Sequence, residues 1–244
     1  MDIINSWLAA IAEWFISLKD RFVLNFIAEN RWEYITDGLL VTVEVSFFAV
    51  ILGIILGFIV AVIRSTHDIT GGLKFPNFLC RIYLTVIRGT PVVVQLMIIY
   101  FVIFSSVKMI DKVFVAVIAF GINSGAYVAE IVRGGIMSVD KGQLEAGRSL
   151  GFNYAQTMIH IILPQAFKNV FPALCNEFIV LLKETSVSGY IAMQDLTKGG
   201  DIIRSRTYDA FMPLIAVALI YLAMVCLLEF AFGKLERRLR SSDH

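Results

Sequence analysis

Residues 133–164 read Arg133-Gly-Gly-Ile-Met-Ser-Val-Asp140-Lys-Gly-Gln-Leu-Glu145-Ala-Gly-Arg-Ser-Leu150-Gly-Phe-Asn-Tyr-Ala-Gln-Thr-Met-Ile-His160-Ile-Ile-Leu-Pro164. This long polar interruption is flanked by apolar segments on both sides. Its punctuation predicts two short helices with a break between them. Asp140 caps the first, whose body is Gly142–Leu150. Gly151 ends it, taking the left-handed position that follows a helix. Asn153 caps the second, which runs to about Leu163 before Pro164 forces a bend. Met158, Ile161 and Ile162 give the second helix an apolar face. Such an elbow between membrane spans, with the carboxylate of Glu145 on its first helix, suits the docking of a soluble partner. An ordinary amphipathic surface loop would carry the same local signals.

Composition places the elbow in a membrane protein. Of the 244 residues, 58% are hydrophobic and 17% charged, with a mean hydropathy of +0.77. Soluble domains carry roughly a quarter charged residues. A net charge of +1 gives no reason to expect nucleic-acid binding. Cys80, Cys175 and Cys226 lie far apart, form no Cys-x-x-Cys pair and read as small apolar packing residues. The three histidines are equally scattered, so no metal site is expected.

Residues 1–37 do not read as a signal peptide, because Asp2, Glu13, Lys19, Asp20 and Arg21 interrupt any apolar core. Trp7, Ile11, Trp14, Leu18 and Phe22 share one helical face. That face suits either a helix lying at the membrane surface or packing against the bundle. Five apolar runs follow, at about 39–63, 91–107, 113–131, 169–193 and 210–232. In the first, Gly53 and Gly57 make a Gly-x-x-x-Gly face that admits another helix closely. Before the second run, Arg81 and Arg88 stand two turns apart on an amphipathic helix, and Pro91 breaks it. The third run contains Asn123 and Ser124, and Glu130 and Arg133 at its end can pair at i,i+3. The fourth is the most polar, with Glu177, Lys183, Glu184 and Thr185. Asn123, Ser124, Glu177 and Thr185 either line a water-filled path or bond between helices. Residues 194–209 read as an outer loop containing Gly199-Gly200, and 234–244 as a basic tail. With the elbow inside, the inner segments carry twelve Lys and Arg against eight outside. The elbow and C-terminus are therefore expected in the cytoplasm and the N-terminus outside.

Three stretches together carry a family resemblance. Glu145, Ala146, Gly147, Gly151, Ile161, Leu163 and Pro164 fall at the spacing of the cytoplasmic coupling motif of ABC importer permeases. The family usually has Ala where this chain has Gly147. Arg88-Gly-Thr-Pro-Val-Val-Val-Gln-Leu96 and Asn123-Ser-Gly-Ala-Tyr-Val-Ala-Glu-Ile-Val-Arg-Gly-Gly135 resemble the polar amino-acid branch, which includes histidine, arginine and glutamine importers. The resemblance implies an all-α membrane protein with the type I importer permease fold. Its permease domain covers 38–233, with a coupling loop at 134–168. It implies four partners: a separate ABC ATPase subunit docked on the elbow, an extracytoplasmic amino-acid-binding protein, a second permease chain, same or related, and the amino-acid substrate.

No Gly-x4-Gly-Lys-Ser/Thr loop occurs, so no cofactor is expected on this chain and ATP belongs to the partner. No catalytic residue is expected: no Ser–His, paired-Asp or His-Glu-x-x-His arrangement is present to suggest an intramembrane enzyme. A stand-alone secondary transporter or channel is the alternative. Such carriers commonly show internal repeats, and the elbow has no purpose in one.

Overall fold

The computed structural model describes residues 17–107 and 109–241. Trp7, Ile11 and Trp14, on which the surface-helix expectation rests, lie outside the described residues. All regular structure among the described residues is helical. Among the described residues four helices are long and apolar enough to cross a membrane, or five if a bent pair is taken as one span.

Helix α1 spans Trp32–Thr70. Its 39 residues would reach about 58 Å, well beyond the roughly 30 Å hydrocarbon core. It therefore starts before the expected 39–63 run and ends after it. One stripe of small residues is buried: Gly38, Thr42, Ser46, Ala49, Gly53, Gly57 and Ala61. Phe47, Ile51, Ile55, Phe58 and Ile59 are exposed on other faces, as suits contact with lipid. Gly53 and Gly57 in this stripe seat helix α4 (Lys112–Met137), while Gly38 and Thr42 lie against Asp195 and Leu196. A β-carbon on Gly57 would stand 2.5 Å from Val128 Cγ1, and one on Gly53 3.0 Å from Ser124 Cβ. The Gly-x-x-x-Gly face thus does what its spacing predicts. Gly71 closes α1 at φ +72°, donating its N–H to His67 O.

The second span is broken. Helix α2 (Lys74–Arg88) and the run Val92–Ile103 meet at 107°. The latter starts as α3 (Val92–Ile98) and continues through a π-helical turn, Ile99–Ile103. Gln95 stitches the break: its Nε2 donates to Ile87 O, Thr90 O and Thr90 Oγ1. These carbonyls would otherwise be left without partners at a helix end. The Tyr83 hydroxyl donates to Ile122 O at 2.6 Å, fixing α2 across α4.

The structure departs from two sequence expectations. Pro164 does not end or bend away the second elbow helix. One candidate span runs from Tyr154 to Ile191. The stretch Met158–Ile162 forms a π-helical turn, and Leu163 donates its N–H to Met158 O. That wider turn relieves the contact a proline ring makes with the carbonyl four residues back, and Pro164 opens the next helix, where a missing N–H costs nothing.

Residues 194–209 are not a plain loop. Leu196–Thr207 is a helix, capped by Asp195, whose carboxylate accepts from the N–H groups of Thr197 and Lys198. Gly199 lies against the start of α1, where a β-carbon would come within 2.2 Å of Tyr34 O. The last helix, Phe211–Ser241, runs on into the basic tail without a break.

The core gathers around α4. Val115, Ala116, Ala119 and Phe120 pack with Val45, Ala49, Leu96, Leu181 and Ile191. A second cluster, Val128, Val132, Ile136, Met158, Ile162 and Ala166, joins α4 to the elbow.

Candidate functional site

The elbow hangs below the lower end of α4. Ser138 donates to Gly135 O and accepts from Asn169 Nδ2, tying the exit of α4 to the following span. Asp140 then caps helix α5 (Lys141–Ser149), its Oδ1 accepting from the Gly142 N–H at 2.6 Å. The helix ends in a paired closure. Phe152 donates its N–H to Gly147 O at 3.0 Å, and Gly151 to Arg148 O at 2.9 Å, with Gly151 at φ +83°. This is the Schellman arrangement, which needs a residue comfortable at positive φ.

The next helix, α6 (Tyr154–Thr157), opens with a capping box. Asn153 Oδ1 accepts from the Gln156 N–H, and Gln156 Oε1 accepts from the Asn153 N–H, both at 2.9 Å. The caps at Asp140 and Asn153 and the turn at Gly151 are those the sequence predicts.

Gly147 is the point where the two short helices touch. It is buried, and a β-carbon there would lie 2.6 Å from Thr157 Cγ2 and 3.1 Å from Ile161 Cδ1. Glu145 and Ala146 are exposed on α5. Ile161 and Leu163 are half-buried, and Pro164 is exposed. A cavity of about 300 Å³ opens between α5, the end of α4 and the base of α1, with Asp68, Ile136, Leu144, Glu145, Arg148 and Met158 on its walls. The elbow is anchored to α1 through the Tyr154 hydroxyl and Thr66 Oγ1, 3.3 Å apart.

Just above lies a charged lattice. Arg133 pairs with Glu130 at 3.1 Å, as its i,i+3 spacing predicts, and with Asp68 at 3.3 Å. Glu130 also accepts from Arg64. The spacing shows only the first of these pairs; Arg64 and Asp68 come from α1, more than sixty residues away in sequence.

The four polar candidates inside the spans are all buried within the chain. Asn123 Nδ2 donates to Gln95 Oε1 at 3.1 Å. Ser124 Oγ donates to Glu177 Oε1 at 2.9 Å. Thr185 donates to Leu182 O, within its own helix. Asn123 and Ser124 are neighbours on α4, while Thr185 stands two turns beyond Glu177 and makes no bond to the other three. Sequence reasoning missed Gln95 as the link between the break and Asn123. The signal was its position four residues after Pro91.

Among the described residues no cluster of three or more His, Cys, Asp or Glu could hold a metal ion. A polar elbow below a broken second span, built on one central helix, is an architecture that comparison can place. Residues 53–241 match the family described as the inner membrane component of binding-protein-dependent transport systems.

The chain belongs to that family.

Its relatives extend the match over most of its length. The putative glutamine transport system permease protein GlnP of Rickettsia typhi is 40% identical over 207 residues, covering 84% of this chain and 93% of that protein. The arginine transport system permease protein ArtQ of Bacillus subtilis is 38% identical over 213 residues, covering 86% and 94%. A crystal structure of an amino acid ABC transporter with histidines superposes with a TM-score of 0.75 at 40% identity, covering 92% of this chain and 98% of that one. The fold is that of a type I ABC importer permease, and the chain is an inner-membrane transporter subunit.

Proposed function

We propose that this chain is the permease subunit of an ATP-driven importer that brings a polar or charged amino acid into the cytoplasm. The observation that carries the reading is the elbow, a capped helix pair that leaves Glu145 and Ala146 exposed beside a cavity at one end of the bundle. A separate ABC ATPase subunit docks there, with Glu145, Ala146, Gly147, Gly151, Ile161, Leu163 and Pro164 forming the coupling element. ATP is bound and hydrolysed on that partner, and this chain holds no cofactor.

The Lys and Arg tally supports a cytoplasmic elbow and C-terminus and an outside N-terminus. An extracytoplasmic binding protein delivers substrate to the outer face. Five spans are too few to enclose a path and close both ends, so a second permease chain completes it. The names of the glutamine and arginine permeases support an amino-acid cargo.

The test is uptake into proteoliposomes holding the permease, its ATPase and its binding protein. Radiolabelled arginine, glutamine and histidine are offered with ATP or a non-hydrolysable analogue. ATP-dependent uptake of at least one is expected. Uptake by the permease alone, driven by an ion gradient, would instead establish the stand-alone transporter.

A further inference from the structure

Beside the charged lattice, α2 crosses the bundle and roofs an open cavity of about 490 Å³. Arg64, Arg81, Thr85, Arg88, Tyr127 and Glu130 line it. Three guanidinium groups thus face one carboxylate. That carboxylate is already shared between Arg64 and Arg133. Among the described residues neither Arg81 nor Arg88 has a carboxylate partner; Arg88 only lies over the Tyr127 ring, 5.7 Å from its centroid. The cavity therefore has unspent donors and a cationic surplus, a setting that favours an oxyanion.

The same helix says where the anion comes from. Arg81, Thr85 and Arg88 form one stripe of α2. Phe75, Phe78, Leu79, Ile82 and Val86 are exposed on it, Phe75 by 71%. A helix with an exposed apolar stripe beside a cationic one lies in the boundary between headgroups and acyl chains. Basic pockets between helices on the cytoplasmic side suit acidic headgroups. A phospholipid uses both features at once, its phosphate on the arginines and its acyl chains on the stripe, whereas a free amino acid or phosphate uses only the arginines.

We infer that the Arg64–Arg81–Arg88 cavity holds the phosphate of an anionic phospholipid of the cytoplasmic leaflet, whose acyl chains lie along Phe78, Ile82 and Val86. The inference rests on the orientation proposed above. Arg81 and Arg88 meet the phosphate directly. Arg64 fixes the inner wall through Glu130.

The importer complex, stripped of lipid in detergent, is titrated with phosphatidylglycerol or phosphatidylcholine and read by native mass spectrometry. One phosphatidylglycerol should bind each permease chain at least about tenfold more tightly than phosphatidylcholine. Each of Arg81→Gln and Arg88→Gln should weaken it by about fivefold, while Arg204→Gln on the opposite side of the membrane should leave it unchanged. Arg81→Lys and Arg88→Lys keep the charge and should retain most of the binding. Should Arg88→Gln fail to assemble with the ATPase, the exposed Arg81→Gln alone decides.

Equal phosphatidylglycerol binding by wild type and the glutamine variants would overturn the site. So would its displacement by millimolar arginine or glutamine, which would make the cavity part of the substrate path. Binding of inorganic phosphate as tight as that of the lipid would likewise remove the lipid from the account. A working importer that holds no anionic lipid sinks this inference alone; a chain that binds the lipid through these arginines yet never transports sinks only the function reading.

Discussion

Gly147 rests directly on Thr157. A β-carbon on Gly147 would lie 2.6 Å from Thr157 Cγ2 and 2.8 Å from its Oγ1, and Thr157 is itself fully buried. The two elbow helices touch at a site with no room for a methyl group. Two effects compete in Gly147→Ala. The helix gains about 1 kcal/mol of propensity, and the overpacked contact costs about 1–3 kcal/mol. Overpacking wins unless Thr157 can yield, and its hydroxyl is held by Asn153 O at 3.0 Å.

Gly147→Ala should therefore lower substrate-stimulated ATP hydrolysis several-fold without affecting membrane insertion. Gly147→Ala with Thr157→Ala makes room and should recover most of the loss. Hydrolysis assays on the reconstituted complex check both. No recovery in the double variant would mean that the contact is not the reason for glycine here.

The polar layer gives a second prediction. Asn123, Ser124, Glu177 and Thr185 are engaged inside the chain, so reaching a path requires the Asn123–Gln95 and Ser124–Glu177 bonds to open in another transport state. Single cysteines at these positions, on a background with Cys80, Cys175 and Cys226 replaced, can be probed with a water-soluble thiol reagent. A substrate path predicts labelling at Ser124→Cys and Glu177→Cys in at least one nucleotide state. Protection at all four positions in every state would make them braces between helices.

Asp195 gives a pH signature. It is fully buried at the N-terminus of its helix, and burial raises its carboxyl to about 6 despite the backbone N–H groups that favour the charged form. A carboxyl whose folded-state pKa lies above its ordinary value opposes folding while charged. That opposition fades as pH falls from above 6 toward 4. Asp209 has the opposite sign. Its bonds to Arg21 and Asn25 hold it down to about 2, so its contribution is complete above pH 4 and is lost only as pH falls through 2. Between pH 7.5 and 5 only Asp195 of this pair changes, and thermal stability in detergent should rise. Asp195→Asn still caps the helix and should flatten that rise. An unchanged rise in Asp195→Asn would assign it to another group.

The elbow was legible because its signals are local. Asp140, Asn153 and Gly151 each act within three or four residues, so spacing alone predicts their bonds. The apolar runs were legible because a membrane span must be mostly apolar over about twenty residues, though the angle of the bend in the second was not. The helix at 196–207 was not. Its two glycines read as a loop by propensity, yet they let it approach Tyr34, from the start of α1, and Val217, on the last helix, contacts that no local pattern shows. Pro164 misled for a related reason: a proline ends an α-helix, but the π-helical turn before it changes which carbonyl it meets. The Arg64–Glu130–Arg133–Asp68 lattice joins two helices whose register no local pattern shows.

The elbow is proposed to transmit ATP hydrolysis to the spans. Glu145→Lys reverses an exposed charge on α5, and Gly151→Val forces a branched side chain into the φ +83° position, a strain of roughly 1–3 kcal/mol. Both positions lie in the elbow, outside the five expected apolar runs. The measurement is co-purification of the ATPase subunit together with substrate-stimulated hydrolysis and uptake in liposomes. Both variants should insert normally and keep the binding-protein interaction, yet lose either the ATPase or the link between its hydrolysis and uptake. If both retain the ATPase and transport at wild-type rates, the elbow is only a surface loop and the account is contradicted.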